Sequence, residues 1–240
     1  MYYQDRSEAG RRLAAKLMAY ADRPEVVVLA LPRGGVPVAF EVAEVLNAPL
    51  DVFLVRKLGL PGHEELAMGA IATGNVRVLN EEVIHALHIS DAVIDAVTAQ
   101  EQQELERRER SYRDNRSALD VRGRTVILVD DGLATGATMR AAAVAIRQRH
   151  PARLVVAVPI AASATCEALR TEVDDIICAK TPEPFYGVGR WYDDFSQTSD
   201  AEVRDLLDRA AQRHAGMAHV NSEEQQRSDE NVRDDPGQTA

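Results

Sequence analysis

Asp130 and Asp131 stand side by side at the end of an apolar run, Val126-Ile127-Leu128-Val129, and Gly132-Leu133-Ala134-Thr135-Gly136-Ala137-Thr138 follows them. A run of that length and composition is a buried strand. It delivers two carboxylates to its C-terminal edge, where open α/β sheets bind ligands. The small residues beyond let backbone N–H groups converge, and two threonine hydroxyls and a helix N-terminus aim into the same hollow, which makes a phosphate cradle. Carboxylates do nothing for a phosphate but suit the vicinal hydroxyls of a ribose beside it. In a purely structural alternative the Gly and Thr only open a helix. That leaves unexplained why two adjacent acids end an apolar strand, where charge is costly to hold without partners.

Other phosphate and catalytic patterns do not fit. Gly132 and Gly136 are too close together for a P-loop and no lysine follows them. No Gly-x-Gly-x-x-Gly follows the first strand, and neither a His-Glu-x-x-His nor a Gly-x-Ser-x-Gly sequence occurs. The two cysteines, Cys166 and Cys178, show neither metal-ligand nor redox spacing and read as reduced thiols packed in the interior. The net charge of −10 argues against a nucleic-acid partner, since phosphate backbones demand a basic footprint. Only Lys16, Lys57 and Lys180 are lysines, all remaining basic side chains of that class being arginines. No apolar run approaches the ~20 residues of a membrane helix, and the start lacks a signal-peptide pattern, so a cytoplasmic protein without a membrane partner is expected.

The elements that must position these residues follow from periodicity. Asp5-Arg6-Ser7-Glu8 has capping-box spacing and opens an amphipathic helix over 6–20. Val26 to Leu31 reads as a strand, Pro32-Arg33-Gly34-Gly35 as a glycine turn, Val36 to Leu46 as a helix, and Leu50 to Val55 as a second strand ending at Arg56-Lys57. Residues 58–75 are glycine-rich and read as a mobile ribbon, with Val76 to Leu79 a short strand. Asn80 and Ser90 are N-caps, the second opening a charged helix from Asp91 to about Ser117. Strands over 125–129, 154–158 and 174–178 alternate with helices over 138–149 and 163–170. The expectation is an α/β fold: an open, mainly parallel five-stranded sheet with helices on both faces and a ribbon and helical insertion, 58–120, between the second and third core strands. One domain spans 1–214. The stretch 215–240 has no aromatic residue and six acids against two arginines, and reads as a disordered acidic tail.

The segment Val126 to Met139 resembles the 5-phosphoribosyl-1-pyrophosphate (PRPP) motif of type I phosphoribosyltransferases, joining strand, acid pair and Thr-Gly-x-Thr loop in order. The likeness extends over about residues 26 to 195 and is nearest to bacterial phosphoribosyltransferases of unassigned substrate. Gly132 departs from the aliphatic residue or serine usual there, a change expected to alter loop stiffness more than ligand chemistry. The resemblance implies that Asp130 and Asp131 contact the ribose hydroxyls, with Mg²⁺ met indirectly through those hydroxyls or water. It further implies that Ala134, Thr135, Gly136, Ala137 and Thr138 bind the 5-phosphate. Arg33, Gly34 and Gly35 resemble the family's pyrophosphate loop, with an ordinary tight turn as the competing reading. Lys57, in Arg56-Lys57-Leu58-Gly59-Leu60-Pro61-Gly62, resembles the lysine of adenine phosphoribosyltransferases that reaches PRPP, against a snorkelling lysine as the alternative.

At the acceptor end Phe185, Tyr186 and Trp191 resemble the purine-stacking segment of hypoxanthine enzymes, or else form a lid packing its own aromatics. No glutamate occupies Gly69 to Gly74, and Ala134 stands where hypoxanthine enzymes carry an aspartate. The implied activity is transfer of the phosphoribosyl group to a nucleobase or other nitrogen acceptor with release of pyrophosphate, catalysed by Asp130, Asp131, Lys57 and Arg33. The small molecules PRPP and a base-like acceptor are the partners, and a homodimer is expected. A non-catalytic PRPP- or nucleotide-binding regulatory module is the alternative.

Overall fold

The computed structural model describes residues 2–114, 116–214 and 216. Five parallel strands, β1 (Val26–Ala30), β2 (Leu50–Val52), β6 (Thr125–Val129), β7 (Arg153–Ile160) and β8 (Asp175–Lys180), pair in the order β2-β1-β6-β7-β8. This is the expected sheet. Alternate residues of each strand feed opposite faces, as the two-residue period requires. Val26, Val28, Ile127 and Val129 pack beneath α1 (Arg6–Ala14) and α2 (Gly35–Leu46). Val27, Leu29, Val126 and Leu128 pack on α5 (Ala137–Arg147) and α6 (Ser163–Leu169). The four middle-strand residues named from β6 are fully buried, each worth ~1.5–3 kcal/mol over exposure.

The capping box at the first helix forms with a one-residue offset. Asp5 accepts the Glu8 N–H at 2.7 Å, while the Glu8 carboxylate reaches back to the Gln4 N–H at 2.6 Å. The helix closes at Ala14 rather than near residue 20, and a 3-10 turn, Met18–Tyr20, completes the segment.

The insertion departs from expectation. Residues 55–79 form their own antiparallel sheet of β3 (Val55–Leu60), β4 (His63–Ala72) and β5 (Val76–Leu79), ordered β3-β4-β5. The second expected strand, 50–55, is therefore split, since β2 stays in the parallel sheet and β3 leaves it. Glycines suggested a ribbon, but Leu58, Met68 and Ile71 supply the apolar contacts that hold a sheet. Gly69 needs its bare Cα, for a Cβ there would lie 2.4 Å from the Val78 carbonyl oxygen of β5. After α3 (Glu81–Ala86), α4 (Asp91–Arg113) buries Ile94, Leu105 and Tyr112 against the domain, as a solvated helix leaning on it should. Its end is pinned by Arg113, whose Nε donates to Asp51 on β2 at 2.9 Å with both side chains buried.

A helix over 200–214, here α7, was not anticipated. It buries Val203 and Leu207 in the core beside α2 and α4. The acidic tail expected over 215–240 lies outside the described residues apart from residue 216. The cysteines correct the sequence reading: Cys166 and Cys178 are joined in a disulfide, with Cα atoms 6.7 Å apart. Packing of α6 on the edge strand β8 brings them together, which spacing alone does not reveal. Among the described residues no helix is long and apolar enough to cross a membrane.

Candidate active site

β6 lies between β1 and β7, so its C-terminal edge opens onto the turn after β1 and the loop after β7. Asp130 and Asp131 emerge there, and Leu133 then anchors the next loop. Its N–H donates to Ile160 O, and its own carbonyl accepts from Ala162 N–H, both at 2.9 Å. The Thr165 hydroxyl of α6 donates to Ala134 O at 2.5 Å, fastening the loop from the other side. Gly136, at φ 74°, caps α5 in the left-handed region, and a Cβ there would sit 2.7 Å from the Thr165 methyl carbon. Both dihedral and space demand glycine. Ala134, Thr135, Ala137 and Thr138 are exposed around the first turn of α5, whose amides have no intrahelical partners.

Gly132 is explained by space rather than stiffness. A Cβ at this position would lie 2.5 Å from Val188 Cγ1 and 2.8 Å from Ile160 Cγ2. The room that a larger side chain would take is thus filled by Val188 from the segment after β8.

The turn after β1 presses directly on the acid pair. A Cβ on Gly34 would fall 2.0 Å from Asp131 Oδ2, and one on Gly35 would fall 2.9 Å from Asp130 Cα. Only two glycines allow this approach. The Pro32–Arg33 peptide is cis. Arg33 is half-buried with its guanidinium 3.7 Å from Asp200, at the start of α7, and Asp200 accepts the buried Tyr112 hydroxyl at 2.7 Å.

Burial and mutual charge set the electrostatics of the acid pair. Burial, and then the neighbouring charge of Asp131, push the Asp130 carboxyl well above the usual carboxylate range, while its Oδ1 accepts the Asp131 N–H at 2.8 Å. Burial also raises Asp131, opposed by Arg6, whose Nε donates to Asp131 Oδ2 at 2.9 Å. The Tyr192 hydroxyl donates to the Asp131 carbonyl at 2.6 Å, and burial followed by the charge of Asp131 raises its pKa. Sequence reasoning missed Arg6, Tyr192 and Thr165. The only signal was that the buried acids required a partner, and nothing local says which cation supplies it.

Gly34 and Gly35 therefore meet Asp131 and Asp130 at the sheet edge from which the 134–138 loop departs. Lys57 lies exposed on β3, in the ladder opposite Ala70. Of the three aromatic residues expected at the acceptor end, Phe185 and Trp191 pack against one small apolar cluster, and Trp191 shares a cleft with Tyr186. Phe185 packs with Tyr3, Ile160 and Tyr192, whereas Tyr186 is 77 % exposed. Trp191 stacks on Tyr2 with ring centroids 5.6 Å apart. Trp191, Tyr186, Tyr2 and Tyr192 line an open cleft of about 950 Å³. Among the described residues no group of three or more His, Cys, Asp or Glu could cage a metal. Two neighbouring carboxylates still fit Mg²⁺, which keeps waters and takes most of its oxygens from a phosphorylated substrate.

Comparisons with known proteins bear on this geometry. Residues 2–188 match the family model of the phosphoribosyl transferase domain. Two Mycobacterium tuberculosis proteins, "Putative phosphoribosyl transferase MT0597" of strain CDC 1551 / Oshkosh and "Putative phosphoribosyl transferase Rv0571c" of strain ATCC 25618 / H37Rv, are each 47 % identical over 208 residues. The alignments cover 87 % of this chain and 47 % of each of those proteins, so the chain spans about half the length of the curated relatives it matches. The crystal structure of TT1426 from Thermus thermophilus superposes with a TM-score of 0.76 at 40 % identity, covering 86 % of this chain and 98 % of that one. Because the family match runs through the strand, acid pair and loop that build this sheet edge, the chain belongs to the phosphoribosyl transferase domain family.

Proposed function

We propose that this chain transfers the phosphoribosyl group of PRPP to a nitrogen acceptor, a nucleobase or similar amine, and releases pyrophosphate. The observation that carries this reading is the contact between the glycine turn and the acid pair, with Gly34 against Asp131 and Gly35 against Asp130. A ligand whose ribose engages the carboxylates then has its C1 substituent beside the turn and its 5-phosphate in the 134–138 loop, which is the layout of PRPP.

In the reaction the bond from C1 to the pyrophosphate oxygen breaks, a C1–N bond forms, and the acceptor gives up a proton. Asp130 and Asp131 accept the ribose hydroxyls and favour the positive charge that develops on the ring. The amides of the 134–138 loop and the first turn of α5 hold the 5-phosphate, and Arg33 and Lys57 neutralise the departing pyrophosphate. Asp130 and Asp131 would hold Mg²⁺ through water or the ribose hydroxyls, and the ion would supply positive charge against that of the departing pyrophosphate. The cleft floored by Trp191 and Tyr2 suits a flat acceptor.

Ala134, which puts no acid in the phosphate loop, favours a second reading, a PRPP-binding module without turnover. Pyrophosphate release from PRPP and Mg²⁺, measured against a panel of bases and amines, separates the two. Transfer predicts acceptor-dependent release. Binding of PRPP with no release for any acceptor supports the module.

A further inference from the structure

Arg6 is the first residue of α1 and lies 125 positions from the acid it pairs with. Its Nε donates to Asp131 Oδ2 at 2.9 Å, with the two side chains 12 % and 15 % exposed. The same guanidinium donates through a second nitrogen to Ser196 O at 2.7 Å and rests 4.1 Å from the ring centre of Phe195. Arg6 is thus held by three independent partners, and one of them is a carboxylate of the ligand site.

The acid is held as firmly. Its Oδ2 lies between the Arg6 guanidinium and the bare Cα of Gly34, since a Cβ there would come within 2.0 Å. Its backbone carbonyl accepts the buried Tyr192 hydroxyl at 2.6 Å. A nearly buried ion pair contributes little net stability, because desolvation of both charges roughly cancels their attraction. Fold stability is therefore a weak reason to place an arginine here.

We infer that Arg6 is a positioning residue for ribose recognition: it fixes the Asp131 carboxylate in the orientation that accepts the ribose hydroxyls. This rests on the PRPP reading above. Arginine fits the role because one planar fork meets a carboxylate, a carbonyl and an aromatic face together, which the point charge of lysine cannot reproduce.

The test compares binding of ribose 5-phosphate with that of 2,3-dideoxyribose 5-phosphate, which keeps the phosphate and lacks the hydroxyls. Wild-type protein should prefer the ribose compound. Arg6→Met should remove about tenfold of that preference, the scale of one charge-assisted hydrogen bond, and change affinity for the dideoxy compound less than about twofold. Arg6→Lys should retain an intermediate preference. Should Arg6→Met fail to fold, Arg6→Gln, which keeps a donor without the charge, gives the same reading. If the folded variants keep the wild-type preference, Arg6 serves structure alone and the inference is overturned. If the wild-type protein shows no preference, the ribose assignment of Asp131 itself fails, and this inference falls with it.

Discussion

Asp130→Asn should stabilise the unliganded protein while crippling its ligand site. Asp130 ends the central strand, partly buried, and both burial and the adjacent Asp131 disfavour its charge. Asparagine keeps the shape and can still accept the Asp131 N–H at 2.8 Å, but drops that charge. Relieving such a site commonly yields ~0.5–2 kcal/mol. In a chain of this size each kcal/mol raises Tm by ~2–4 °C. The sign with pH follows from the raised carboxyl. Folded protein holds a proton that the unfolded chain loses near pH ~4, so stability falls as pH climbs from ~4 through the elevated folded value. The Asn variant lacks that fall. Its melting advantage should therefore vanish in acid and grow toward neutral pH. Ribose hydroxyls lose a charged acceptor, so affinity for ribose 5-phosphate should drop ~10- to 100-fold, corresponding to ~1.5–3 kcal/mol. Thermal melts from pH 4 to 8, with and without ligand, read both effects. A variant less stable than wild type at neutral pH, or an advantage independent of pH, refutes the reasoning.

Arg33→Ala and Lys57→Ala should weaken PRPP and abolish turnover yet leave affinity for a nucleoside 5-monophosphate almost intact, as calorimetry with both ligands will show. An equal loss of both for Lys57→Ala assigns that lysine elsewhere. Gly132→Ala, whose Cβ meets Val188 and Ile160 within 2.8 Å, should cost ~1–3 kcal/mol, and adding Val188→Ala should recover most of it in urea unfolding. An unrescued double variant would show that the backbone, not the space, requires glycine. Reduction of Cys166–Cys178, which closes a short loop of sequence separation 12, should lower stability by ~2–3 kcal/mol, seen as an earlier urea midpoint with reductant. An unchanged midpoint means the bridge adds nothing to the fold.

The parallel sheet was legible because its strands are continuous apolar runs, and the acid pair was legible because charge at the end of such a run demands a purpose. Gly34 and Gly35 were readable as a turn, but their contact with Asp130 and Asp131 depends on β1 and β6 being neighbours, a fact of topology. Arg6 is invisible for the same reason: a capping box explains the residues around it completely. The sheet over 55–79 was hidden because its glycines serve close strand approach, as at Gly69, and the same residue type also marks loops. α7 went unread because it follows an irregular segment and buries only a narrow apolar stripe, Val203 and Leu207. The disulfide depends on how α6 lies over β8, which no spacing rule encodes.

The central claim, that this sheet edge binds PRPP, is tested most directly by calorimetric titration of the wild-type chain with PRPP and Mg²⁺, with ribose 5-phosphate as the reference ligand. The account predicts saturable binding, tighter for PRPP than for ribose 5-phosphate, and a matching rise in stability of ~3 kcal/mol at 100-fold excess over Kd. No heat and no melting shift with either compound would contradict it.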